Sequence, residues 1–243
     1  HRRIENSGGL LVHKSTHHFD MINWWLDDDP DEVHAFGSRR FYGNTRENRG
    51  ERCLTCPHAS VCEYFIDISK DEFTKKMYLM AEKEDGYFRD RCVFSEEINI
   101  YDTMSVQVRY NKGAFLTYSL IAHSPYEGWR ASINGTEGKI EAEEFHSGHN
   151  VSIPIQKIKL YNRKKEVITI DVLKGTGGHG GSDVKIRDMI FRGNIPDPMG
   201  HMAGSRAGIM SCIIGIASNL SIKNSKTIKI TDLVPFEEMK QQL

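Results

Sequence analysis

Between residues 99 and 172 apolar side chains recur at every second position, in runs separated by short polar turns. Met104, Val106, Val108 and Tyr110 alternate with Ser105, Gln107 and Arg109. A period of two sends successive side chains to opposite faces of an extended chain, so one face can be buried while the other meets water. Asn111-Lys112-Gly113 is a hairpin turn signal, after which residues 114–122 return as a second strand. Residues 129–133 and 139–142 flank Asn134-Gly135-Thr136-Glu137-Gly138, and residues 151–161 and 166–172 flank Asn162-Arg163-Lys164. Strands joined by turns this short run antiparallel, because a parallel pair needs a crossover of a dozen residues or more.

Helical patterns lie on both sides of this meander. Ser15 or Thr16 caps a helix running to Leu26, stopped by Asp27-Asp28-Asp29-Pro30. Residues 31–42 read as a first strand, and Asp71 to Lys83 as an amphipathic helix with Phe73, Met77 and Met80 inward. Ser182 caps a helix to Arg192, and residues 202–222 form a long helix rich in small residues, suited to tight packing on a sheet. The tail 226–234 reads as a short strand or turn. The pattern predicts an α+β fold, an open and mostly antiparallel β-sheet with helices packed on one face. With 243 residues, one domain spanning 1–243 is expected.

Charge and hydropathy narrow the function classes. Lys plus Arg is 32 against 33 for Asp plus Glu, a formal net charge of −1. Binding through phosphate contacts usually shows a basic bias, so no nucleic-acid partner is expected. The longest apolar stretch, residues 209–216, is broken by Ser211 and Gly215 and falls short of the ~20 residues a bilayer demands. No membrane partner and no secretory signal are expected, and the cytoplasm is the expected compartment.

Three groups of residues can carry chemistry. His13 and His17 are spaced by four, which lets two imidazoles share a helix face for a metal or for proton transfer; an ordinary surface role is the competing reading. Gly175-Thr176-Gly177-Gly178-His179-Gly180-Gly181 is a flexible loop without the βαβ unit a dinucleotide fingerprint requires. On it His179 could approach a substrate closely, and Asp183 could bond its hydroxyls or simply favour a helix start. The third group sits in a polar stretch at about 43–66 that shows no period. Cys53, Cys56 and Cys62 have the spacing Cys-x2-Cys-x5-Cys, and Cys92 follows; Cys212 reads as a buried helix thiol. Four thiolates could close a structural zinc site, with His58 able to replace one, but free or oxidised thiols and an iron–sulfur cluster remain open.

The ordered set of motifs resembles the C-terminal domain of the glucose-fructose oxidoreductase/inositol dehydrogenase/MocA family. The similarity runs from Gly8-Gly9-Leu10-Leu11-Val12-His13-Lys14-Ser15-Thr16-His17-His18-Phe19-Asp20 through the cysteine insert, Arg91-Cys92-Val93, the strand pair 104–122 and Asn134-Gly135-Thr136-Glu137-Gly138. It continues to Gly178-His179-Gly180-Gly181-Ser182-Asp183 and Ser205-Arg206-Ala207-Gly208. The resemblance implies that a nucleotide-binding domain, absent from this chain, would hold NAD or NADP in a full-length parent. This chain would supply the substrate side and an open sheet for homo-oligomerisation. It implies a reaction at a CH–OH group of a sugar or polyol, with His17 at the family's catalytic histidine. Lys14, His179 and Asp183 would bind substrate. His13 falls where many members carry Asp, and the family's catalytic lysine belongs to the missing half. An NAD-assisted glycoside hydrolase of the same architecture, or a non-catalytic binding module, are the alternatives.

Overall fold

The computed structural model describes residues 1–234. In chain order the elements are helices α1 (Ile4–Ser7), α2 (Leu10–His13) and α3 (Thr16–Leu26), strand β1 (Pro30–Ser38), short helices α4 (Glu72–Thr74) and α5 (Glu82–Asp85), strands β2 (Thr103–Tyr110) and β3 (Phe115–Ile121), strands β4 (Gly128–Asn134), β5 (Gly138–Phe145), β6 (Ile155–Asn162) and β7 (Val167–Leu173), helices α6 (Ser182–Phe191) and α7 (Ser205–Asn224), and strand β8 (Ile228–Lys229). They divide into two compact units: residues 1–123 with the described chain from Gly204 onward, and residues 124–203.

The first unit holds a four-stranded sheet in the order β3-β2-β1-β8, antiparallel throughout. The alternation read from the sequence becomes a buried face of Val33, Ala35, Met104, Val106, Val108 and Tyr110. Helix α7 lays Met210, Ile213, Ile214 and Ala217 into the same core, and α3 adds Phe19. Complete burial of each large aliphatic or aromatic side chain favours folding by about 1.5–3 kcal/mol. Close approach is built into α7 at Gly215, where a Cβ would collide with the carbonyl oxygen of Leu11 on α2. Asn219 Nδ2 donates to the Gly8 carbonyl at 2.6 Å and fixes the turn that leads into α2. The Tyr110 hydroxyl donates to Asn23 Oδ1 at 2.8 Å, tying α3 to β2.

Among the described residues α7 is the one helix long and apolar enough to cross a bilayer by length and composition. Here it is a core helix, with Ile214, Ala217, Ser218 and Ser221 fully buried. Its buried hydroxyls are satisfied, since Ser218 donates to the Ile214 carbonyl at 2.7 Å and Ser221 accepts the Ala35 N–H at 2.9 Å.

The second unit is a meander, β4-β5-β6-β7, with every neighbour antiparallel. Register places Ile133, Ile140, Leu160 and Ile168 in one cross-strand row and Ala131, Ala142, Ile158 and Ile170 in the next. The opposite face carries charge pairs, Arg130 with Glu143 at 3.0 Å and Lys157 with Asp171 at 2.7 Å. The expected open, antiparallel α+β architecture is therefore present, shared between two sheets.

The long connection between β1 and β2 contributes no strand to either sheet and is held by polar and aromatic contacts. The buried Asp102 carboxylate accepts the backbone N–H groups of Arg40, Phe41 and Tyr42 at 2.8–2.9 Å. Buried Asp90 receives Arg52 Nε at 3.0 Å, and Arg52 also reaches Glu82. Phe41, Tyr42, Tyr64 and Phe94 pack ring against ring, with the Arg46 guanidinium 4.0 Å from the Phe94 centroid. The helix expected at 71–83 departs from its pattern. A π-helical turn at Lys75–Leu79 interrupts it, and Phe73, Met77 and Met80 are 64%, 56% and 59% exposed rather than inward. The wider π turn breaks the 3.6-residue register that would have aligned them on one buried face.

Candidate functional site

Helices α2 and α3 are separate, and the break falls between the two histidines, whose spacing of four would suit one helix face. His13 is the last residue of α2, Lys14 follows with φ −124° and ψ −50°, and α3 begins at Thr16. His17 therefore occupies the first turn of α3, exposed, with its backbone N–H on the Lys14 carbonyl at 3.3 Å. Its ring makes no hydrogen bond within the described residues. Lys14 is exposed as well.

His13 faces the other way. Its Nε2 is buried without a hydrogen-bond partner, and its ring lies 5.2 Å from that of His1. Burial pushes the His13 imidazolium below its ordinary pKa, which favours the neutral ring. Among the described residues no group of three or more His, Cys, Asp or Glu could hold a metal ion, and His13 and His17 join no such group.

A neighbouring network escaped the sequence reading. Ser15, fully buried at the N-cap position of α3, makes no capping bond. Instead its Oγ accepts the Tyr118 hydroxyl at 3.2 Å, and that hydroxyl lies 2.9 Å from His18 Nδ1. The Tyr118 ring meets Phe19 edge-on at 5.0 Å. Burial pushes the Tyr118 phenol above its ordinary pKa, so it stays protonated as a donor. The only sequence signal was the place of Tyr118 on the inward face of an alternating strand.

His179 and Asp183 belong to the second unit and do meet. His179 Nδ1 lies 2.8 Å from Asp183 Oδ1, in the first turn of α6. His179 has φ +48°, a left-handed conformation that a non-glycine residue adopts at a cost. The loop is shaped to this contact, because a Cβ at Gly178 would run into the Asp183 carboxylate. A carboxylate on Nδ1 fixes the ring tautomer and leaves Nε2 to face a ligand. The helix expected to be capped by Ser182 starts with Gly181 in the cap position instead.

The four cysteines of the insert line one cavity of about 80 Å³ together with Tyr64, Phe65 and Phe94. All are free thiols, and Cys212, expected to be buried, is partly buried on α7. Their sulfurs do not form a metal cradle: neither Cys53, Cys56, Cys62 and Cys92 nor a set including His58 groups closely enough for one. The zinc and iron–sulfur expectations thus find no support in the geometry. Among the described residues every strand pairing is antiparallel, and the glycine loop follows the antiparallel strand β7.

A family model described as the C-terminal alpha/beta domain of an oxidoreductase family matches residues 2–230. The chain is 38% identical over 256 aligned residues to YteT of Bacillus subtilis (strain 168), an oxidoreductase by its name, with 98% of this chain and 59% of that protein covered. Among solved structures, an NAD-binding oxidoreductase from Klebsiella pneumoniae superposes with a TM-score of 0.54 at 12% identity, covering 92% of this chain and 51% of that one. An aldose–aldose oxidoreductase from Caulobacter crescentus, complexed with glycerol, gives 0.50 at 10% identity over 88% and 45% of the two chains. At such identities the structural likeness is one of fold. The chain spans about half the length of these solved structures and 59% of the curated relative.

Proposed function

The chain belongs to the family of oxidoreductase C-terminal alpha/beta domains, and from that premise we propose that it is the substrate-side portion of an NAD(P)-dependent oxidoreductase acting on a CH–OH group of a sugar or polyol. The nicotinamide, when bound by a portion of the protein outside this chain, supplies the hydride acceptor. The residues here bind the hydroxyl and take its proton.

One observation carries the reading. His17 presents an exposed imidazole without a hydrogen-bond partner among the described residues, in the first turn of α3. An imidazole nitrogen can accept a proton from an alcohol and return it to solvent, which suits a general base. Lys14, exposed and one turn away, is the group that would hold a substrate hydroxyl. His13, neutral by burial, orients rather than anchors charge, with its unpartnered Nε2 the atom to do so. Within the second unit, the His179–Asp183 pair by itself offers hydroxyl-binding groups. The glycerol held by the Caulobacter relative supports a polyhydroxylated substrate. Reduction of NAD or NADP by the full-length protein, followed across a panel of sugars and polyols with wild type and His17→Ala, tests this reading.

The second sheet supports a homo-oligomer. Its apolar rows leave Ile140, Ile168 and Ile170 at 39%, 50% and 48% exposure. Apolar surface of that extent is better covered by a second copy than by water. Five free thiols suit a reducing compartment, for which the cytoplasm is proposed.

A further inference from the structure

We propose that Cys53 and Cys56 form a reversible oxidation site, closing to an intramolecular disulfide on exposure to a disulfide oxidant of the glutathione class. The metal reading of these cysteines fails on geometry, yet all four remain free and line a single cavity. That leaves thiol chemistry as the property they share.

The backbone selects the pair. Cys56 N–H donates to the Cys53 carbonyl at 3.1 Å, closing a turn of the i to i+3 type. Such a turn holds its end Cα atoms within about 7 Å, and disulfides span Cα separations of roughly 4.4–6.8 Å. Cys92 and Cys62 are the thiols that act electrostatically on Cys53, but the backbone offsets Cys92 from Cys53. Arg52 and Arg91 are bridged antiparallel, Cys53 N–H donates to the Asp90 carbonyl at 2.8 Å, and Cys92 N–H donates to the Glu51 carbonyl at 3.0 Å. Cys53 and Cys92 are therefore diagonal neighbours, a relationship that separates Cα atoms by about 7–8 Å. The turn is also packed to hold Cys56 in place, because a side chain at Gly50 would press on Cys56 Sγ at 2.8 Å.

The chemistry balances with the named oxidant. The Cys56 thiolate attacks one sulfur of oxidised glutathione and expels a glutathione thiolate, leaving a mixed disulfide. The Cys53 thiol releases its proton to solvent and attacks the Cys56 sulfur, expelling the second glutathione thiolate. Two protein thiols are oxidised to one S–S bond, and one glutathione disulfide is reduced to two thiols. Burial pushes the Cys53 thiol above its ordinary pKa, which makes it the slower first attacker and suits it to the closing step. The Asp90 carboxylate on the same cavity wall acts on Cys53 in the same direction as burial.

The test reads mass, so it stands apart from any catalytic role. The full chain, purified reduced, is incubated with graded oxidised glutathione and analysed by intact and tandem mass spectrometry. The expected result is loss of two hydrogens without a retained glutathione, with the link placed between residues 53 and 56 by fragmentation of the wild-type chain. Cys62→Ser and Cys92→Ser should keep that loss, whereas Cys56→Ser should abolish it. Circular dichroism of each variant controls for folding. A link to Cys62 or Cys92, glutathione adducts that never resolve, or one zinc per chain by elemental analysis with thiols inert to the oxidant would each overturn the proposal.

Discussion

The Tyr118 hydroxyl lies 2.9 Å from His18 Nδ1 and donates to Ser15 Oγ at 3.2 Å, so one side chain of β3 holds the first turn of α3 from both ends. His17 stands between the two anchored residues. Its own ring is exposed, while the Tyr118 phenol that holds its neighbours is pushed above its ordinary pKa by burial.

Tyr118→Phe removes both bonds and keeps the ring packing on Phe19. The buried Ser15 hydroxyl loses its donor, and stability should fall by about 1–2 kcal/mol. Denaturant melts measure the loss, and the His18 imidazole resonances should move more than those of His179. Unchanged His18 resonances would show that the network does not position this turn.

Asp102 and Asp90 give the fold an acid limit. Burial alone would raise both carboxyls. The Arg40, Phe41 and Tyr42 N–H groups on Asp102, and Arg52 with the Leu54 N–H on Asp90, outweigh it and hold both below the usual carboxylate range. A folded-state pKa below the unfolded value of about 3.9 makes the stabilisation complete above that pH and removes it as pH falls through the folded values. Urea melts from pH 7 to pH 2 should show a steep loss below about pH 4. Asp102→Ala, which orphans three N–H donors, should cost about 3 kcal/mol at pH 7 and flatten the acid slope.

Arg52 bridges Asp90 and Glu82, and its guanidinium also lies over Phe88 at 4.8 Å from the centroid. Arg52→Ala leaves the Asp90 carboxylate buried without its cation, a change worth about 3–5 kcal/mol. Hydrogen exchange should report the opening in residues 43–98 first, with the β2 and β3 amides still protected. Equal loss across both would mean that the insert and the first sheet unfold as one.

Ile168→Lys places a charge at the edge-strand end of the apolar row that runs through Ile133, Ile140 and Leu160. Sedimentation should show the wild type as a dimer or larger and the variant as a monomer with an unchanged circular dichroism spectrum. A wild type that stays monomeric at high micromolar concentration would remove the sheet face from the assembly.

The strands were legible because alternation is local. Met104, Val106, Val108 and Tyr110 announce their face without reference to anything else in the chain. The division into two sheets was not, since nothing in the alternation says that β3 and β4 fail to pair. The 71–83 stretch misled for a related reason. Phe73, Met77 and Met80 have helical spacing, but burial depends on a facing core that residues 43–98 do not provide there. The sequence pointed to His13, His17, His179 and Asp183, and the contact between the last two is a four-residue relationship on one turn. The Ser15–Tyr118–His18 network joins residues about a hundred positions apart, and no spacing rule reaches that far. The cysteines were grouped correctly by spacing, while the metal they suggested depends on the convergence of sulfurs, which spacing does not fix.

The most direct measurement is the steady-state rate of NAD or NADP reduction by the full-length protein with its best sugar or polyol, for wild type and His17→Ala. Loss of a general base lowers kcat by roughly 10²–10⁴-fold, and a group acting in the transition state leaves KM comparatively unchanged. The expected result is that loss of kcat in the variant, with a pH profile of kcat that differs from the wild type's. A variant with near wild-type kcat and the same pH profile would contradict it.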